Sequence, residues 1–101
     1  MDTVVERLVQ LDDVEQAMNV FGMADLHLRL VEDQLNVKVM ARNGEMRITG
    51  FESAADIAAD VLGRLVESAR RGDTVTEQQV RYFIGLAADP DNLHGGELPS
   101  D

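Results

Sequence analysis

Residues 20–50, VFGMADLHLRLVEDQLNVKVMARNGEMRITG, decide how this chain folds. They read as two short helices broken at Gly22-Met23-Ala24-Asp25, followed by a tight hairpin. Asn43-Gly44 is the strongest short-range signal for a two-residue type I′ turn, because both positions must take positive φ. With those two residues as the loop, Arg42 faces Glu45, Ala41 faces Met46, Met40 faces Arg47 and Val39 faces Ile48. Side chains alternate between the faces of a sheet, so Val37, Val39, Ala41, Met46 and Ile48 are expected to point into a core. Lys38, Met40, Arg42, Glu45, Arg47 and Thr49 then share the outer face.

Working outward, Thr3 to Leu11 is short and β-branched and predicts a first strand. Asp12 or Asp13 caps a helix to about Val20, with Val14, Ala17, Met18 and Phe21 on the expected core face. Gly22 ends it and Asp25 is expected to cap the next, which carries Leu26 and Leu30 beside Leu28, Val31 and Leu35. Asn36 sits where a left-handed terminator is common. Beyond the hairpin, Glu52 or Ser53 opens a long helix through Arg71. Its expected buried stripe is Ala54, Ile57, Ala58, Val61, Leu65 and Ala69, and Asp60–Arg64 and Glu67–Arg71 are acid-before-base pairs on its exposed side. Gly72 stops it, and Thr76 to Gln79 is a capping box for a last helix with Val80, Phe83, Ile84 and Ala87 inward. Residues 89–101 have the proline, glycine and acid content of a flexible linker.

A chain of 101 residues with 45% apolar residues accommodates one domain, here residues 1–88, with an aliphatic core. Cysteine is absent, which removes disulfides and thiolate chemistry. No apolar run approaches the roughly 20 residues of a membrane span and the start is unlike a signal peptide, so a cytoplasmic protein with no membrane partner is expected. The net charge of −10 opposes nucleic-acid binding until it is located. Residues 1–19 hold five acids and one base, residues 51–101 hold ten and four, and residues 20–50 balance four against four. Screening beyond about 8 Å leaves that neutral centre partly insulated from its acidic surroundings.

The order strand, helix, helix, strand, strand, helix is the KH type I arrangement, α+β, with a three-stranded sheet covered on one face by helices and one extra C-terminal helix. A KH module holds a short glycine loop close to a nucleotide backbone. Here Gly22 is present and Asp25 stands where the last glycine of the clamp belongs. The landmarks VFG, ARNGE, ITG and the junction ARRGD to TEQQVRYFIGLA, in order and without gaps, make residues 3–98 closely resemble the N-terminal domain of PhoH-like proteins, a phosphate-starvation-inducible type of ATPase. The resemblance implies a KH-like, RNA-binding front end joined by a linker to a P-loop ATPase domain that binds ATP and Mg. A P-loop needs a Gly-Lys pair, and the one lysine here is Lys38, so no catalytic residue and no cofactor is assigned to this chain. The nucleic-acid-binding candidates are Gly22, Met23, Ala24, Asp25, Arg29, Lys38, Met40, Arg42 and Arg47. Partners expected are single-stranded RNA, bound weakly, the ATPase domain, and a homo-oligomer.

Other chemistry finds no footing. His27 and His94 are far apart in sequence and are expected at the surface, and no serine has a histidine near it. Asp12-Asp13 and Glu32-Asp33 serve more simply as helix caps and solvated faces. A KH scaffold that has lost its clamp and docks proteins is the competing function.

Overall fold

The computed structural model describes residues 3–88. Strand β1 (Val4–Gln10) is followed by helix α1 (Val14–Phe21), a 3₁₀ turn at Met23–Asp25, helix α2 (Leu26–Leu35), strands β2 (Lys38–Arg42) and β3 (Glu45–Phe51), and helices α3 (Glu52–Arg70) and α4 (Glu77–Ala88). The sheet is antiparallel in the order β1-β3-β2, and its helices lie on one face, which gives the expected KH-like α+β fold with an appended helix. The segment expected to be a linker lies outside the described residues.

The hairpin forms in the expected register. Arg42 pairs with Glu45, Ala41 with Met46, Met40 with Arg47 and Val39 with Ile48, around Asn43 at φ 55° and Gly44 at φ 80°. Val37, Val39, Met46 and Ile48 are buried, but Ala41 is exposed although it lies on the helix side of the sheet. Among the described residues no helix reaches over the tip of the hairpin to cover it.

Helix α3 is buried more widely than one stripe. Ala55, Leu62, Val66 and Ser68 join Ala58, Val61 and Leu65 in the core, and Ala54, Ile57 and Ala69 are only half-buried. The reason is its position: α3 touches β1 and β3 on one side and α1, α2 and α4 on others. It opens at Phe51 with no side-chain cap, and Gly72 follows its end at φ 91°. Asp60 pairs with Arg64 at 3.1 Å as expected, whereas Glu67 pairs with Arg70 and Arg71 turns to Asp73. At α4 only half of the capping box forms. Thr76 Oγ1 accepts from the Gln79 N–H at 3.1 Å, while the Gln79 side chain donates to Ser68 Oγ at 2.9 Å and ties α4 to α3.

Helix α1 turns the Val14 and Met18 side of its expected core face outward, whereas Ala17 is half-buried and Phe21 packs half-buried against the core. Val14 is 72% and Met18 67% exposed, and the buried residues are Gln16 and Val20. Polar anchors set this rotation. Gln16 reaches Asp12 and the Val66 carbonyl, and the Asn19 amide donates to the Asp73 carbonyl while its oxygen accepts from the Val75 N–H at 2.8 Å. The bonds to Val66, Asp73 and Val75 hold the polar side of α1 against the end of α3 and the α3–α4 connection. Among the described residues no helix is long and apolar enough to cross a membrane.

Candidate nucleic-acid interface

The apolar face that α1 shows to solvent forms one wall of a groove of about 300 Å³. Val14, Ala17 and Phe21 lie on that side, Ala41, Arg42, Asn43 and Gly44 of the hairpin tip oppose them, and Leu11 to Asp13 close one end. Residues that sequence periodicity assigned to the core thus line a concave surface. The helical spacing was the signal, and it identifies an apolar face without saying what the face meets.

Strand β2 is an edge strand beside this groove. The residues flanking a two-residue turn form a hydrogen-bonded pair, so Arg42, Met40 and Lys38 direct their backbone groups to β3, and Val39 and Ala41 direct theirs to the free edge. Val39 N–H is taken by Glu32 Oε2 from α2 at 2.8 Å. Ala41 keeps its edge open toward the groove, next to the exposed Cβ of its own side chain.

The clamp loop begins at Gly22, with φ 79° and ψ 175°. Its glycine is required from within: a Cβ there would stand 2.7 Å from the His27 ring. His27, expected at the surface, is buried, and its Nδ1 lies 2.9 Å from the Val20 carbonyl. The ring thereby floors the loop. Its position four residues before Val31 on α2 is the periodic signal that would have found it. Ala24 and Asp25 follow at φ 53° and 60°, two left-handed residues without glycine. Asp25 makes no side-chain cap bond to α2, so its expected capping role is not what places it there. Asp25 instead takes the backbone shape that glycine adopts most easily. Met23 is 87% exposed at the tip of the loop.

The nine candidates divide between two faces. Gly22, Met23, Ala24 and Asp25 form the loop on the helix side, and Arg29 is exposed on α2. Lys38, Met40 and Arg47 stand on the outer face of the sheet, away from the loop. Arg42, beside the turn, borders both. One groove therefore cannot gather all nine. Cations divide too. Arg7, Arg47, Arg64, Arg70, Arg71 and Arg81 are engaged by carboxylates, and among the described residues Arg29, Lys38 and Arg42 form no ion pair. Asp12 at the groove end is held below the ordinary carboxylate range by the hydrogen bond from Arg70, with Gln16 adding to it. Among the described residues no group of three His, Cys, Asp or Glu side chains is placed to hold a metal.

Comparison with known proteins gives one relative to set beside this geometry. The chain is 31% identical over 78 residues to the PhoH-like protein of Bacillus subtilis, a stretch that covers 77% of this chain and 24% of that protein. It thus spans about a quarter of the length of the curated relative it matches. No family model matches the chain, and no solved structure matches it.

Proposed function

We propose, from the premise that this chain is a PhoH-like fragment, that it is a KH-like module that binds single-stranded RNA weakly in the groove between α1 and the hairpin. In the longer protein it would present that RNA to an ATPase portion that binds ATP and Mg, in the cytoplasm. The observation that carries this reading is the groove itself. An apolar cleft lies between α1 and an open strand edge, and Arg42, which forms no ion pair among the described residues, stands at its rim. Unstacked bases need an apolar surface and edge groups to bond, and their phosphates need a cation.

The test is a titration of the chain with a single-stranded RNA oligonucleotide at several salt concentrations. Arg29 and Arg42 as two phosphate contacts give a log–log slope of roughly −1.4, at about −0.7 per contact for single strands. Asp25→Gly removes a negative charge from the loop and should tighten binding, and Arg42→Glu should abolish it. No binding at low salt by either the unmodified chain or Asp25→Gly would sink the RNA reading. A protein-docking role then takes its place, and the three acids Asp12, Asp13 and Asp25 around the groove and loop are what favour it.

A further inference from the structure

Among the described residues no helix covers the outer face of the sheet, and it carries four large apolar side chains, Val4, Leu8, Met40 and Phe51, each between 45% and 60% exposed. The strand register arranges them in rows. Glu6, Thr49 and Lys38 form one row across the three strands, and Leu8, Arg47 and Met40 form the next. Val4 and Phe51 pair at one end, and Gln10, Glu45 and Arg42 close the other. Strand β1 thus brings an acid and an apolar residue to one side of β3, and β2 brings a base and an apolar residue to the other side at the same heights.

We propose that this face is an interface between two copies of the chain, related by a two-fold axis that runs along β3. Rotation about that axis lays β1 of one copy over β2 of the other. Lys38, which has no ion-pair partner among the described residues, then meets Glu6 of the second copy, and the same pair forms again by symmetry. Leu8 meets Met40 of the second copy, also twice, and Phe51 meets its own equivalent on the axis. Arg47 lies near the axis and brings its own counter-charges, with Glu6 at 3.5 Å and Glu45 at 3.7 Å. Sheets stacked with nearly aligned strands interdigitate their facing side chains, which suits rows of this kind. Charge complementarity chooses the occupant: a face with acid on β1 and base on β2 fits its own copy turned about β3. The groove on the other face stays open, so this interface stands whether or not the RNA reading does.

Sedimentation equilibrium of the whole chain at low salt tests the proposal. The unmodified chain should show a concentration-dependent monomer–dimer equilibrium. Lys38→Glu sets two acids against two acids and should weaken the dimer by about tenfold or more, and the exchange Glu6→Lys with Lys38→Glu should restore most of it. Both positions are exposed, and a thermal melt of each variant confirms folding. A chain that stays monomeric to millimolar concentration overturns the proposal. So does a dimer indifferent to Lys38→Glu but broken by Met18→Asp on α1.

Discussion

Gly22 ends α1 at φ 79°, as its expected role of helix terminator requires. Its place in a clamp-like loop was legible from the sequence, but the need for glycine comes from the buried His27 ring behind it as well as from φ 79°. Gly22→Ala should therefore cost about 1–3 kcal/mol, from left-handed strain together with the ring contact. In a His27→Ala background the ring is gone, and the same change should cost less by more than about 0.5 kcal/mol in denaturant unfolding, because the two residues touch. Equal costs in both backgrounds would leave backbone strain as the whole reason. Asp25 differs. It holds a left-handed backbone and caps nothing, so Asp25→Gly should leave stability unchanged or raise it by up to about 1 kcal/mol. Its affinity effect in the RNA titration can then be read without a folding penalty.

Among the elements, the hairpin was the most legible and α1 the least. A strand has two faces and Asn43-Gly44 pins the register, so the pattern admits one solution. Helix α1 has eight residues, and Val14 and Met18 of its apolar stripe meet the solvent, because Gln16 and Asn19 are bonded to residues 50 or more positions away in the chain. Local spacing carries no trace of those partners. The rotation makes a sharp stability contrast. Val20→Ala should cost about 2–3 kcal/mol, since Val20 is fully buried. Val14→Thr and Met18→Gln should each change stability by about 0.5 kcal/mol or less, as surface substitutions do. Thermal or urea unfolding of the three variants checks this, and a large loss at Met18 would mean that the expected core face is the buried one after all. Helix α3 was misread in width for a related reason: it packs on several neighbours at once, and a single stripe describes only one of them.

At the scale of the molecule, the acidic excess is partly spent on holding elements together. Asp12, at the junction of β1 and α1, accepts hydrogen bonds from Arg70 near the end of α3 at 2.9 and 3.3 Å, and Glu67 backs the same guanidinium. The carboxyl is consequently depressed below its ordinary range, chiefly by that hydrogen bond. A depressed carboxyl contributes stability that is present above its unfolded value, near 3.9, and is lost as pH falls through the folded value. Asp12→Asn should accordingly lower the melting temperature at neutral pH, and the gap from the unmodified chain should close in strong acid. A gap that persists unchanged there would show that the charge on Asp12 is not what matters. The locations of charge along the chain were legible in the sequence, but which acids were consumed by which bases depended on helix ends meeting across the fold.

The sheet order also sets a timetable. The β2–β3 hairpin closes over a two-residue turn and forms on the scale of about 1–10 μs, but β1 pairs with residues of β3 that lie 35 to 47 positions further along the chain. During synthesis, at roughly 5–20 residues per second, β1 waits for several seconds before its partner strand β3 exists. Throughout that interval a seven-residue strand bearing Val5, Leu8 and Val9 is on offer to any other open edge nearby, including the hairpins of neighbouring nascent chains. Strand β1 finds its place only after the strands that follow it in the chain have been made, and the yield of correctly folded molecules depends on how that wait is spent.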